Sequence, residues 1–414
     1  MNRVNELIKE YCPDGVEIRC LEDCCNLLDK KRKPITKAAR EAGEYPYYGA
    51  NGIQDYVANY IFDGTFVLVG EDGSVITKSG TPVVTWAEGK IWVNNHAHII
   101  EEKDGVMLRY LYHYLQTIDV TSLIHGNIPK LTGGDFKALK IAVPPLEVQR
   151  EIVHILDSFT LLTAELTAEL TARKKQYEFY RNKLLTFGND TLECRLKDIC
   201  DIFLGLTATP NYTDAGVKFI SAQNTSNDFL DLSNVKYISE TDFESATSNA
   251  KPQRGDLLFT RVGSNLGHPV IVETDEKLCI FVSLGYLRVR NKKQVVIGYL
   301  KHWMNTDLFW SQVRKNVHGA AKVNLNTGWL KEFRISLPPL ETQERIVHVL
   351  DNFEAICTDL NIGLPAEIEA RQKQYEYYRD LLLTFAETGS TLMTDRQTDR
   401  QTDRQTDRQT DRQS

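Results

Sequence analysis

Several kinds of chemistry have no footing in this chain of 414 residues. No apolar run is long enough to span a bilayer, and residues 1–20 lack the apolar core of a secretory signal, so the cytoplasm is the expected compartment. The eight cysteines, Cys12, Cys20, Cys24, Cys25, Cys194, Cys200, Cys279 and Cys357, include no CxxC pair. That spacing is the usual zinc signature, so the cysteines read as free thiols and no metal site is expected. Loops for nucleotide phosphates are missing too, with neither GxGxxG nor GxxxxGK before Ser or Thr. The only proline pairs stand in VPPL and LPPL, so there is no Asn/Asp-Pro-Pro-aromatic tetrapeptide of the amino-methyltransferase type. Finally, a net charge of −7 lacks the basic excess of a protein that holds nucleic acid mainly by charge. Any DNA contact must come from local patches or from a partner.

What the chain does have is a duplication. PPLEVQREIVHILDSF near Pro144 returns as PPLETQERIVHVLDNF near Pro338, and RKKQYEFYRNKLLTF returns as RQKQYEYYRDLLLTF, ending at Phe187 and Phe385. A proline pair suits a first helical turn, so helices are expected from about Glu147 and Glu341. In the first copy Ile152, Leu156, Phe159, Thr163, Leu166, Leu170, Arg173, Tyr177, Tyr180, Leu184 and Phe187 step by four and three, which is a coiled-coil seam imperfect at Thr163 and Arg173. The second seam runs through Ile346, Leu350, Phe353, Cys357, Leu360, Leu364, Ile368, Arg371, Tyr375, Tyr378, Leu382 and Phe385 with one extra step of four. That stutter lies beside Gly363 and Pro365, where a kink or break is expected. One such stripe alone reads as a buried core helix; two matching seams favour packing on each other.

The repeat extends further. MNRVNELIKEY reads as a short amphipathic helix whose NELI resembles NKLL at Asn182–Leu185, and VEIRCLED resembles LECRLKD. Between the helices, short β-rich runs alternate with Gly, Asn and Asp turns. YPYYG, TFVLVGEDG, TPVVTW and AHIIEE are the candidate strands of the first block; VKFISAQN, DLLFTRVGSN, PVIVE and CIFVSLGYLRVR are those of the second. A helix should close each block, near Leu108–Thr117 and Gly298–Lys315. The expected architecture is α+β: similar domains at 1–143 and 188–337, helices at 144–187 and 338–385, and a tail at 386–414. Antiparallel pairing of the helices would make the molecule pseudo-two-fold, and two related readers a fixed distance apart match a split site on two-fold DNA.

Within the tail, Thr394–Gln413 repeats TDRQ five times without an apolar residue and is expected to be disordered. ACA GAC AGA CAG encodes TDRQ and is also the unit ACAG three times over, so a slippage-prone tract that shifts the reading frame is one reading. A tolerated in-frame repeat is the other, and mixed codons across the units would exclude slippage.

The duplicated PPLExQ-to-LLTF helices, YYGANGIQDYV, FVLVGEDG, LLFTRVGSNLG and HGNIPKLT resemble the specificity subunit of type I restriction-modification systems, over nearly the whole chain to Phe385. The resemblance implies two target recognition domains that read a bipartite DNA sequence, joined by two long antiparallel coiled-coil helices that space them. It implies two modification subunits docked on the helices, carrying S-adenosylmethionine and methylating adenine, and two restriction subunits using ATP and Mg. No cofactor and no catalytic residue would belong to this chain. A non-catalytic coiled-coil adaptor for protein partners is the competing reading, which the modest charge keeps open.

Reading bases needs Arg or Lys for guanine and Asn or Gln for adenine. In the first block the candidates are Lys30, Lys31, Arg32 and Lys33 for phosphates, and Tyr47, Tyr48, Asn51 and Gln54 around YYGANG, with His96 and His98 behind them. In the second they are Gln223, Asn224, Arg261, Ser264, Asn265, His268, Lys322 and Asn324. The lysine run reads equally as a solvated loop, YYGANG as a strand-connecting turn, and the tyrosines as core. For partner binding through the helices the candidates are Ile152, Leu156, Phe159, Tyr177, Tyr180, Ile346, Leu350, Phe353, Tyr375 and Tyr378.

Overall fold

A computed structural model describes residues 2–188, 191–246, 248–263, 265–316 and 324–384. The TDRQ tail, the seam residue Phe385 and two candidate contacts, Ser264 and Lys322, lie outside the described residues. The chain forms two compact units, Met1–Glu165 with Glu369–Ser414, and Leu166–Ile368. Each unit therefore holds one β-rich domain and a segment of each long helix. Among the described residues no helix is long and apolar enough to cross a membrane.

The central helix runs Leu146–Leu184, starting one residue before the sequence-based estimate. Its C-terminal counterpart is broken, as the stutter foretells, into Leu340–Thr358 and Leu364–Leu383. At the break the Asp359 carboxylate accepts the N–H groups of Asn361 (2.7 Å) and Ile362 (3.2 Å), an Asx-type turn. Gly363 is needed there because a Cβ would lie 2.6 Å from the carbonyl oxygens of Ala355 and Asp359. Leu360, expected in the seam, is 64% exposed because the backbone has already left the helix.

In the first unit Val148, Ile152 and Leu156 share a core with Tyr375 and Leu381–Leu383, and the N-terminal helix Asn2–Tyr11 adds Val4, Leu7 and Ile8. In the second, Tyr177 and Leu185 share a core with Ile346, Leu350 and Cys357. Burying each aliphatic side chain contributes about 1.5–3 kcal/mol. Most partner-binding candidates are thus spent inside the chain: Phe159 stacks on Tyr378 (ring centroids 5.2 Å), and Tyr180 stacks on Phe353 (5.7 Å) but stays 37% exposed. A protein partner would have to use other faces of the helices.

The first domain carries a six-stranded sheet in the order Asn26–Leu27, Ala97–Glu101, Phe62–Gly70, Val84–Val93, Ala42–Gly49, Gly52–Val57. Val67 and Val69 face the helical core while Phe66 and Leu68 face a second core, so FVLV is apolar without alternation. The second domain differs. It has a four-stranded sheet, Cys200–Leu204, Leu284–Val289, Leu257–Thr260, Pro269–Ile271, and a three-stranded one, Lys236–Ile238, Val217–Ile220, Leu278–Ile280. The closing helix expected at Gly298–Lys315 is two helices, Ile297–Met304 and Asp307–Asn316. Thr306 splits them, its hydroxyl donating to the Trp303 carbonyl (2.7 Å) and accepting from the Phe309 amide (3.3 Å).

The framework beneath the sheets is repeated bond for bond. Glu17–Cys20 pairs antiparallel with Lys140–Val143, and Leu192–Arg195 pairs in the same way with Arg334–Leu337. The glutamine of each PPLExQ is fully buried and explains the motif. Gln149 accepts from the Met107 amide (2.9 Å) and donates to the carbonyls of Gly105 (3.1 Å) and Pro144 (2.7 Å). Gln343 accepts from the Val296 amide (3.0 Å) and donates to Gln294 (3.0 Å) and Pro338 (2.9 Å). Each clasp ties the first turn of a long helix to the loop before the closing helix. Gln149→Ala is expected to cost about 3 kcal/mol, because buried backbone groups are left unpaired, and Gln343→Ala the same in the second unit. The midpoint of urea unfolding checks it, and a change under 1 kcal/mol would mean that water replaces the side chain.

Candidate nucleic-acid interface

In the first domain the turns at one end of the six-stranded sheet converge. The turn Asp29–Lys31 is fixed from beneath: the Asp29 carboxylate accepts from the Ile99 amide (2.9 Å) and from His98 Nδ1 (2.7 Å). Burial pushes the Asp29 carboxyl up, but the hydrogen bond and charge of His98, the Ile99 amide and Arg32 outweigh it and hold it below the usual carboxylate range. Trp92 Nε1 donates to the Lys33 carbonyl (2.6 Å), anchoring the other side. With the backbone held, Lys30, Lys31 and Lys33 extend into solvent.

Beside this turn, Gly52 (φ +83°) closes the hairpin that carries exposed Asn51 and Gln54, and Gln54 accepts from Asn94 (3.3 Å). Exposed His96 pairs with Asp72, and Lys130 reaches Glu71 (3.2 Å) from the HGNIPKLT segment. Lys130 was missed by sequence reading, since only folding brings it to Glu71, which also holds Arg32 of this turn.

Four candidates of this domain are structural instead. The Arg32 guanidinium is consumed by Glu71 (2.6 Å), the Ala97 carbonyl (2.6 Å) and Asp29, which leaves no free charge for a phosphate. His98 is 1% exposed, stacked on Phe136, with Nε2 at the Leu131 carbonyl. Tyr47 is 1% exposed, its hydroxyl bonded to the backbone of Ile35 and its ring covered by Arg40 at 4.1 Å. Tyr48 is buried in the second core.

In the second domain the loops at 221–229 and 261–268 meet the segment at 324. Asn265 donates to the Ser226 carbonyl (3.4 Å), His268 Nε2 to the Asn227 carbonyl (2.9 Å), and Val262 bridges to Asn324. Gln223, Asn265 and Asn324 are exposed. Asn224 is not available: it is buried, accepting from the Ser221 amide (3.0 Å) and donating to the carbonyls of Asp231 and Asn234. Arg261 is half-buried with its backbone pinned on both sides, to the Ser283 carbonyl (2.8 Å) and the Leu325 amide (3.0 Å). Its Nε is buried and has no hydrogen-bond partner among the described residues.

Among the described residues two groups carry metal-ligating side chains, Asp29 with Glu71 and His98, and His302 with Asp351 and Glu354. In each a cation of the chain already pairs with a carboxylate, Arg32 with Glu71 in the first and Lys301 with Glu354 (2.5 Å) in the second. The thiols of Cys24 and Cys25 turn back to the carbonyls of Cys20 and Leu21, and burial pushes them up to about 11 and about 12.

Residues 13–173 and 189–370 match the family described as the type I restriction modification DNA specificity domain. The chain belongs to that family. It is the class of subunit that gives a restriction-modification complex its DNA sequence specificity, and it is not itself catalytic. A Haemophilus influenzae protein provisionally named a type I restriction enzyme specificity subunit is 36% identical over 90% of this chain and 96% of its own length. The specificity subunit of the Escherichia coli EcoR124I/EcoR124II enzyme is 31% identical over 69% of this chain and 72% of that subunit. The crystal structure of the type I S subunit from M. genitalium shares the fold, with a TM-score of 0.54 at 14% identity, covering 90% of this chain and 97% of that one.

Proposed function

We propose that each unit of this specificity subunit reads one half of a bipartite DNA target, and that the long helices pair antiparallel to set the gap between the halves. One observation carries the reading: the ribbon and the glutamine clasp recur in both units, while the sheets that they support differ. A common mount with unlike readers is what a target with two unlike half-sites requires. In the first unit Lys30, Lys31 and Lys33 bind phosphates and Asn51 and Gln54 face base edges; in the second Gln223, Arg261, Asn265, His268 and Asn324 take these roles. Two modification subunits carrying S-adenosylmethionine dock on the outward faces of the helices, where Phe179 and Tyr377 occupy equivalent exposed positions. Two restriction subunits use ATP and Mg, and the complex works in the cytoplasm.

Co-expression with the neighbouring methyltransferase gene, followed by mapping of methylated adenines, tests the reading. A bipartite motif should appear only when this chain is present, and no new methylation overturns it. Replacing Lys30, Lys31 and Lys33 together by Ala is expected to weaken binding to every sequence alike and to lower the slope of log K against log salt by about 3. A loss confined to one base position would make one of them a base reader.

A further inference from the structure

A second set of duplicated contacts has no part in reading bases. In the first unit His113, on the closing helix Leu108–Leu115, is fully buried, with Nε2 2.8 Å from Asp157 of the central helix and Nδ1 2.9 Å from the hydroxyl of Tyr375 on the last helix. In the second unit His302, also fully buried, has Nε2 2.8 Å from Asp351 and Nδ1 3.1 Å from the Tyr177 hydroxyl. In both, the histidine comes from the domain, the aspartate from the start of the long helix that follows it, and the tyrosine from the far part of the other long helix.

The chemistry makes each chain of bonds directional. A carboxylate can only accept, so Nε2 carries the proton; in the neutral imidazole Nδ1 is then the acceptor and the tyrosine hydroxyl donates. All three elements must be in one arrangement for every buried polar atom to be satisfied. Each domain is also held to the long helix that follows it by an ion pair, Arg109 on Asp157 (2.7 Å) and Lys301 on Glu354 (2.5 Å), whereas the two long helices meet through stacked rings, Phe159 on Tyr378 and Tyr180 on Phe353, which tolerate sliding. A slip of one helical turn, about 5.4 Å, would carry either partner out of hydrogen-bond reach. Buried polar networks of this kind fix register where apolar packing leaves it loose.

We infer that the two Tyr–His–Asp chains are positioning devices that lock each recognition domain in one register on its pair of helix segments, and thereby restrict the complex to a single half-site separation. The inference rests on the bipartite reading above. Tyr177, Asp157, His113, His302, Asp351 and Tyr375 touch no base; they act through the domains that they hold.

The test uses the full chain co-expressed with its modification partner and a plasmid library in which the two half-sites are separated by the natural gap or by one base pair more or less. Tyr177→Phe with Tyr375→Phe removes two hydroxyl groups and nothing else. The expected result is at least a tenfold rise in methylation at the altered gaps relative to the natural one, with both half-site sequences unchanged. An unchanged ratio in a folded, methylating complex overturns the inference, even if total activity or melting temperature falls, because a purely structural role would lower all gaps together. If the double variant does not assemble, the single variants decide on the same ratio. Wild type that yields no bipartite motif overturns the bipartite reading itself, and this inference with it.

Discussion

Deleting Thr163–Leu166 is expected to shorten the unread gap in the target by one or two base pairs and to leave both half-sites unchanged. LTAELTAELTA contains TAEL twice in tandem, and the passage from the first compact unit to the second, between Glu165 and Leu166, falls inside it. This stretch is largely solvent-facing, with Leu161 62% exposed, so removing four residues opens no cavity in either core. Four helical residues amount to roughly 6 Å and about 40°. One base pair advances about 3.4 Å and roughly 35°, so the angle matches one step and the length nearly two. The return helix has slack to follow, because it is already interrupted between Thr358 and Leu364. Methylome mapping of the deletion variant reads the gap directly. An unaltered gap in an active complex would show that this helix does not set the spacing.

Arg261→Ala is expected to erase discrimination at one position of one half-site by about 1–3 kcal/mol, with binding elsewhere preserved. The backbone of Arg261 is held from both sides, its side chain is half-buried among loops that bring Asn265 and His268 together, and its Nε lacks a partner among the described residues. A half-buried arginine on a fixed backbone beside exposed Asn265 suits the bidentate pattern of guanine. Methylation of plasmids carrying single-base variants of each half-site measures the loss. Weakening that is equal on all sequences would instead make Arg261 a phosphate contact.

The two arginines show why candidate base readers are hard to sort in a sequence. Arg32 and Arg261 both follow short β-rich or charged runs near turns, yet one is spent on Glu71 and the Ala97 carbonyl while the other has a buried Nε with no partner among the described residues. Which of these happens depends on residues 39 and 65 positions away in the case of Arg32, and nothing local announces it. The same holds for Asn224, a turn asparagine whose partners are backbone carbonyls of its own loop. The exposure of lysines is easier to read. Their long stems and strong hydration keep the ammonium outside unless a partner draws it in, so Lys30, Lys31 and Lys33 are exposed as their run suggests.

Sequence alone determined the duplication, the helix starts within one residue, and the break beside Gly363, because helical periodicity, proline pairs and stutters are local signals that repeat in register. It also carried the family. Tertiary structure alone decided that the two domains share a mount but not a sheet, that the PPLExQ glutamines are clasps, and that His113 and His302 are joined to both long helices. Those facts depend on pairing between residues as far apart as His113 and Tyr375, and burial and hydrogen-bond satisfaction between such partners leave no periodic trace in either segment.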